Sequence, residues 1–449
     1  MKVSNEAIRS EMLEKPMGRL LFEKSYPTVI IQLISVIYNT ADTYFVAQIN
    51  TESAAAVGVV FSLMSIIQAV GFGIGMGASS IISRSLGAQD TKRANKYGST
   101  AVFSGLVFGC LLMVIGLLNI NTIMRLIGAS EAVLPYAASY AKYILVAAPF
   151  MCLAFILNNI LKAEGQSFLA MIGMIIGGIL NVILDPIFIF GCHMRISGAA
   201  MATMISQMLS GVLMYTYFRA KRTVVQLSFN DVSKNASDYL NIFKTGMPTI
   251  FRQGLGSVSA AILNIQAAVY GDAAVAAISI ANKIYMLVRS TIMGIGQGYQ
   301  PIAGYCYGAG KKARVKKAFI LSSLAGTVIC LTFAILVFIF RIPIMTWFRA
   351  DEEVIAIGIQ ALNWFCLAMP LLAYSTYVNQ TYQCLGYSVG ATILASCRQG
   401  IFFIPLAFVL PKFIGLTGIE MLQATADMMT FIISIPFQVY FFKKHLVST

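Results

Sequence analysis

The chain has 449 residues, of which 58% are hydrophobic and only 11% are charged, with a formal net charge of +14. Soluble globular proteins carry about 25% charged residues, so this composition excludes a water-soluble protein and indicates an integral membrane protein. The 32 basic residues are scattered through hydrophobic sequence and do not gather on a polar domain, which argues against a nucleic-acid partner.

The predicted elements begin after a charged segment, residues 1–25, which has no apolar stretch and therefore no sign of a cleavable signal peptide. Apolar runs of about 20 residues predict helices that cross the roughly 30 Å of bilayer hydrocarbon. The predicted spans are 26–48, 54–82, 97–120, 136–161, 168–190, 198–218, 246–270, 274–305, 318–340, 354–380, 391–411 and 421–442. The predicted fold class is an all-α integral membrane protein with twelve transmembrane helices.

The loop charges predict how the chain lies in the membrane. With the N-terminus in the cytoplasm, most of the 32 Lys and Arg residues fall in cytoplasmic segments and few fall in the outer loops. The positive-inside rule therefore predicts that both termini are cytoplasmic.

An internal duplication divides the chain into two halves. Residues 27–94 align without a gap with residues 248–315, at a displacement of 221, and the match includes Pro27 with Pro248 and Gln32 with Gln253. Each half holds six spans, so both copies enter the membrane in the same direction and are related by a pseudo-two-fold axis along the membrane normal. We expect an N-lobe at 26–218, a cytoplasmic linker at 219–245, a C-lobe at 246–442 and a cytoplasmic tail at 443–449. Two such bundles around a central cleft are typical of transporters.

In the first half of the chain two acidic residues lie inside predicted spans, Asp42 in the first and Asp185 in the fifth. A charge there costs roughly 2.5–3.5 kcal/mol on insertion scales, so it requires a partner, a cavity or a function. Asn181 precedes Asp185 by one helical turn, and Pro186 leaves the carbonyl of Val182 without its helical donor. Acid, amide and free carbonyl together predict a proton or small-cation site.

A structural hydrogen-bond cluster with Tyr38, Asn39 or Thr203 is the competing interpretation of the same residues. The duplication favours function, because the second half has apolar residues at the matching positions, Leu263, Phe402 and Leu406. The fold itself therefore does not require the polar groups.

The second half carries basic residues inside its spans: Arg252, Lys283, Arg289 and Arg398, with Asp427 as the acid. We expect Arg252 and Arg398 to extend toward the cytoplasmic face. For Lys283 three interpretations are open: it pairs with Asp427, lines the cleft or recognises an anionic group. The G-x-G-x-G runs at 73–77 and 294–298 lie in apolar helices without a preceding strand, so we interpret them as close helix packing.

Several segments resemble those of the multidrug and toxic compound extrusion (MATE) transporters, in particular the bacterial MepA-like branch. They are PTVIIQLISVIYNTADTYFV from Pro27, LNVILDPIFIFG from Leu180, GAAMAT from Gly198 and GQGYQPIAGYCYGA from Gly296. The resemblance covers essentially the whole chain. It implies a multi-pass protein of the bacterial inner membrane that exports cationic or amphipathic drugs and dyes by antiport with H⁺ or Na⁺. It also implies no enzymatic activity, no cofactor and a monomer in the lipid bilayer.

Carried over residue by residue, the family's cation-coupling site comprises Asp42, Asn181, Asp185 and Thr203, where Na⁺ is one candidate ion and no other metal is expected. Candidate substrate contacts in the cleft are Gln32, Tyr38, Asn39, Gln253, Asn264 and Lys283, and candidate hinges are Pro27, Pro186 and Pro248. The alternative function is a flippase for lipid-linked or polysaccharide intermediates, to whose head groups the buried basic residues would be suited.

Overall fold

The structure is a computed structural model that describes residues 5–348 and 351–446. The expectations for residues 1–4 of the N-terminal segment, for the outer-loop residues 349 and 350 and for residues 447–449 of the tail lie outside the described residues. Within the described ranges the chain is helical and contains no β-strand, which confirms the all-α prediction.

The first half of the chain forms one bundle of long helices. Its elements are α1 (Asn5–Glu14), α2 (Met17–Ala47), α3 (Thr51–Gly87), α4 (Thr91–Leu118), α5 (Ile120–Ile127), α6 (Leu134–Ala163), α7 (Ser167–Pro186) and α8 (Ile196–Arg219). α7 continues into a wider, π-helical turn at Ile187–Gly191.

The second half repeats the arrangement. Its elements are α9 (Ala236–Ala268), α10 (Asp272–Gly308), α11 (Lys312–Phe348), α12 (Glu352–Cys384), α13 (Ser388–Ser396), α14 (Phe403–Ile414), α15 (Leu416–Glu420) and α16 (Leu422–Phe441). A π-helical turn at Cys397–Ile401 joins α13 to α14. It interrupts the predicted span 391–411, since Pro405 cannot donate a hydrogen bond to the carbonyl of Ile401.

Eleven helices or helix pairs of the described chain are long and apolar enough to cross a membrane. The remaining predicted span, 246–270, corresponds to the later part of α9, which is 33 residues long and ends at Ala268. α9 is less apolar because it carries polar residues along its length, among them Arg252, Gln253 and Asn264.

Close glycine contacts join the two lobes along a seam. A Cβ atom on Gly77 of α3 would overlap the carbonyl oxygen of Ile242 in α9, and one on Gly246 of α9 would overlap the carbonyl of Gly73. At positions displaced by 221 residues, Gly298 of α10 packs on Ser25 of α2 in the same way. The prediction that the glycine runs serve helix packing is confirmed, and the seam repeats the pseudo-two-fold symmetry of the duplication.

Polar contacts between the lobes lie at the same level as the glycines. Ser25 Oγ donates to the Ile295 carbonyl at 3.2 Å, and Ser80 Oγ bonds the Gln383 carbonyl at 2.9 Å. Both described chain ends lie on the same side of the molecule as these contacts. Near the N-terminal end the Lys15 carbonyl accepts a hydrogen bond from Arg314, and near the C-terminal end His445 hydrogen-bonds Tyr387. The lobes are therefore joined on the face that carries the chain ends, which we call the termini face.

The segment between the lobes, residues 220–235, is fixed to the N-lobe. The Glu164 carboxyl group accepts the N–H groups of Val224 at 2.8 Å and Val225 at 3.2 Å, and Thr100 Oγ1 accepts the N–H of Ser233. The predicted linker, 219–245, comprises the last residue of α8, this segment and the first ten residues of α9.

Candidate functional site

A buried polar cluster lies inside the N-lobe, where four helices meet. Asp42 comes from α2, Tyr140 from α6, Asn181 and Asp185 from α7, and Thr203 from α8. Tyr140 Oη donates to Asp42 Oδ2 at 3.2 Å, and Asn181 Nδ2 donates to Thr203 Oγ1 at 3.1 Å and to Asp185 Oδ1 at 3.5 Å. The Asp42 charge acts electrostatically on Asp185. The structure thus brings together the four residues that the sequence proposed for cation coupling.

Small residues on α7 position this cluster. A Cβ atom on Gly177 would lie 3.0 Å from Ser210 Cβ of α8, and one on Gly178 would lie 3.0 Å from Ile34 Cγ2 of α2. These glycines allow α7 to approach both neighbours closely. Asn181 and Asp185, about one and two turns further along α7, therefore face side chains of α2 and α8.

Three oxygen atoms of the cluster are buried and have no hydrogen-bond donor among the described residues: Asp42 Oδ1, Asp185 Oδ2 and Asn181 Oδ1. Asp185 is 0% exposed. Since buried polar groups are nearly always satisfied, such oxygens indicate a place for a proton or a bound cation. Carboxylate, amide and hydroxyl oxygens are also the ligands that hard cations prefer.

A narrow cavity reaches the cluster through Asn181 and Thr203. Its volume is about 10 Å³, which is about the space for one water molecule or one small ion. Tyr38, a predicted cleft residue, also lines this cavity, together with Ser206 and Gln207. The cavity therefore admits a small ion and excludes a drug-sized molecule.

Tyr140 is the member of the cluster that the sequence reasoning missed. It is fully buried and is the donor to Asp42. The duplication held a signal for it, because the position displaced by 221 residues is Ala361. An aromatic residue in an apolar helix does not stand out as an isolated carboxylate does.

Among the described residues, no hydrogen bond joins the other predicted cleft residues to the cluster. Asn39 Nδ2 donates to the Ser35 carbonyl of its own helix at 2.6 Å. Gln32 and Gln253 are half-buried, whereas Asn264 and Lys283 are exposed. Their role as substrate contacts stays a prediction.

The C-lobe contains a different polar cluster, which corrects two expectations. Arg398 Nε pairs with Asp427 Oδ1 at 2.5 Å, and the Tyr285 hydroxyl also bonds Asp427. The interpretation that Lys283 pairs with Asp427 is therefore wrong, since Arg398 and Tyr285 occupy its carboxylate. The expectation that Arg398 extends to the cytoplasmic face is also wrong, because its side chain is 12% exposed and turns inward to this ion pair.

The predicted hinge prolines lie at defined points of the helices. Pro27 lies inside α2 between Ser25 and Thr28, both of which hydrogen-bond carbonyl groups of α10 across the seam. Pro248 lies inside α9 beside the Gly246 contact, and Pro186 is the last residue of α7 before the π-helical turn. Their action as hinges stays a prediction.

Comparison with known proteins gives the same architecture. The MatE family profile matches residues 27–187 and again residues 248–409, at the displacement of the internal duplication. The multidrug export protein MepA of Staphylococcus haemolyticus is 30% identical over 410 residues, which cover 90% of each chain.

Two solved structures are similar over nearly the whole chain. An outward-facing multidrug resistance MATE transporter of the MOP superfamily is 25% identical with a TM-score of 0.91, covering 96% of this chain and 97% of its own. A MOP superfamily transporter from Pyrococcus furiosus, described as having a binding pocket of reverse polarity, is 25% identical with a TM-score of 0.90, covering 97% and 98%. The duplicated profile match, the shared sequence and the shared fold establish that this chain belongs to the MATE family of transporters, in its MepA-like branch.

Proposed function

We propose that this chain exports cationic or amphipathic compounds from a bacterial cell in exchange for a proton or Na⁺ that enters through the N-lobe cluster. The observation that carries the proposal is the asymmetry of that cluster. Where the N-lobe has Asp42, Tyr140, Asn181 and Asp185, the C-lobe has Leu263, Ala361, Phe402 and Leu406. A cluster that served only the fold would be expected in both copies of the duplication.

Ion entry supplies enough free energy for export. One charge that moves through a 100 mV potential releases about 2.3 kcal/mol. At about 1.4 kcal/mol for each factor of ten, this supports a substrate gradient of roughly fifty-fold. One ion per substrate molecule is therefore sufficient to maintain a gradient of this size.

α2 connects the ion site to the seam. Asp42 lies near one end of α2, and Ser25 and Thr28 close the seam near the other end, on either side of Pro27. A cation bound between Asp42 and Asp185 would remove the repulsion between two carboxylates and draw α2 toward α7. We propose that α2 then bends at Pro27, releases its contacts with α10 and displaces the substrate from the cleft.

The family and the loop charges support a proposal for the membrane and the orientation in which the protein works. We propose a multi-pass protein of the inner membrane, with the termini face in the cytoplasm, that acts as a monomer and requires no cofactor. In this orientation the closed seam blocks the cytoplasmic side and the cleft opens outward. The close relation to multidrug export proteins over 90% of the chain favours export over the flippase alternative.

Dye efflux from vesicles tests the proposal. Full-length protein in liposomes should export a cationic dye when either a pH gradient or a Na⁺ gradient is imposed alone, and the gradient that works identifies the ion. D185N and D42N should each abolish gradient-driven efflux because the site loses an ionisable oxygen ligand. E131Q, which changes an exposed loop carboxylate, is the matched control. Undiminished efflux by D185N would remove Asp185 from the coupling role.

A further inference from the structure

The C-lobe cluster contains more positive charge than its acid balances. Arg289 follows Tyr285 by one helical turn on α10, and the Tyr285 hydroxyl accepts a hydrogen bond from Arg398 of the π-helical turn at 2.9 Å. Repulsion from Arg398 acts on Arg289 and also on Arg252 of α9. Asp427 is the carboxylate that acts on this group, and Arg398 occupies it. The cluster therefore holds two excess positive charges inside the lobe, which is costly unless an anion or water compensates them.

Arg289 is the guanidinium group available to a ligand. Arg398 bonds Asp427 and Tyr285, and Arg252 donates to Asn379 and Thr249 at 3.4 Å. Within residues 5–348 and 351–446, the Arg289 side chain makes no hydrogen bond or ion pair, and it is half-buried near the middle of α10. Its N–H donors are free to bind a planar oxyanion in the forked geometry that arginine provides.

The duplication indicates that these charges serve a function. The N-lobe positions displaced by 221 residues from Arg252, Arg289 and Arg398 are Ile31, Gln68 and Gly177, all uncharged. The fold therefore does not need the three arginines. The charged side chains of the N-lobe cluster are the acids Asp42 and Asp185, whereas in the C-lobe cluster Asp427 is paired with Arg398 and two further arginines remain. The two clusters therefore have opposite charge.

We propose that Arg289, supported by Arg252 and by Arg398 held on Asp427, forms a binding site for an oxyanion group, a carboxylate or a phosphate. The inference rests on the proposed export function and deepens it: Arg289 is assigned as the residue that receives the anionic group of a substrate or of a lipid head group in the C-lobe. Arg289 recognises the anion directly, while Asp427 and Tyr285 fix the orientation of Arg398.

Binding of a matched dye pair to the full-length protein tests the site. Rhodamine B has a free carboxylate and its ethyl ester does not, although both have the same cationic ring system. In phosphatidylcholine nanodiscs, R289Q should weaken rhodamine B binding by about tenfold or more, as expected for a lost charge-assisted hydrogen bond, and should leave binding of the ester unchanged. R289K, which keeps the charge but not the fork, should recover part of the affinity.

K317Q removes an exposed charge of the same sign on α11 and is the control for long-range electrostatics. Equal weakening of both dyes by R289Q, or of neither dye, would overturn the proposal. Phosphatidylglycerol in the nanodiscs distinguishes the two sources: competition with rhodamine B in the wild type but not in R289Q assigns the site to a lipid head group, and no competition assigns it to the substrate. Because binding is measured without an ion gradient, failure of the coupling proposal would leave this result unaffected.

Discussion

Tyr140 connects α6 to the acidic cluster. Removing only its hydroxyl group is the smallest substitution that tests the hydrogen bond to Asp42. The hydroxyl donates to Asp42 Oδ2 and belongs to a fully buried side chain. A hydrogen bond to a charged group contributes about 1.5–3 kcal/mol, so Y140F should slow gradient-driven dye efflux by about tenfold while the protein still folds. Y143F, one turn further on the same helix, is the control and should behave as the wild type. Equal efflux rates for Y140F and Y143F would contradict a role for Tyr140 in the site.

At the residue scale, the sequence predicted side chains that are conspicuous in a bilayer and missed those whose role depends on helix orientation. Asp42, Asn181 and Asp185 are conspicuous because a polar group costs free energy in apolar surroundings. The pairing of Arg398 with Asp427 depends on how α16 is rotated against the π-helical turn, and hydropathy contains no information on that rotation. One of the three interpretations of Lys283 for this reason names a partner, Asp427, that Arg398 occupies.

At the scale of elements, the glycine seam predicts a sharp difference between two glycines of α3. A Cβ atom on Gly77 would overlap the backbone of α9, whereas one on Gly58 would meet nothing within 4 Å. G77A should therefore push the lobes apart on the termini face and destabilise this conformation by about 1–3 kcal/mol, as overpacking does. The thermal unfolding midpoint in detergent measures the effect, with G58A as the control. A midpoint for G77A that equals that of G58A would show that the seam is looser than the structure indicates.

Glu164, which holds the segment 220–235 on the N-lobe, should make the stability of the protein depend on pH. Burial raises the pKa of Glu164 from 4.5 to about 8, although the N–H groups of Val224 and Val225 favour the carboxylate. A carboxyl group with a raised folded-state pKa destabilises the fold as it ionises, so its cost appears as the pH rises from about 4.5 through about 8. E164Q cannot ionise, and its Tm relative to the wild type should increase over that range. E131Q should show no such trend, and a pH-independent difference for E164Q would contradict the assignment.

Hydropathy predicted the number and order of the long helices because bilayer thickness determines how many apolar residues a span requires. It did not predict the π-helical turns after Pro186 and before Pro405, since a proline can also be accommodated by a bend. It also did not show how the segment 220–235 folds back onto the N-lobe. That path depends on single side chains, above all Glu164 and Thr100, which accept backbone N–H groups of the segment.

At the scale of the whole molecule, transport requires that the lobes separate on the termini face, so the strength of the seam sets the balance between two conformations. Lys162 Nζ of α6 donates to Gln297 Oε1 of α10 at 2.9 Å across this seam, and Lys162 is 3% exposed. In the part of the chain that the structure describes, this neutral amide is the one hydrogen-bond partner of the buried ammonium group, whose charge is therefore incompletely compensated. The Lys162–Gln297 contact is therefore weak enough to break when the seam opens and to form again when the seam closes.

Q297E would give Lys162 a carboxylate partner at the same position and should hold the seam closed. We expect a higher Tm and slower dye efflux, because a conformational equilibrium shifts by the free energy that one state gains. Q297M removes the hydrogen-bond acceptor of Lys162 and should favour the conformation in which the seam is open. Spin labels at positions 92 and 311, exposed on the termini face of the two lobes, would report the separation once the exposed Cys110 and Cys192 are replaced by Ser. If Q297E leaves both the label distances and the efflux rate as in the wild type, this contact does not control the opening of the seam.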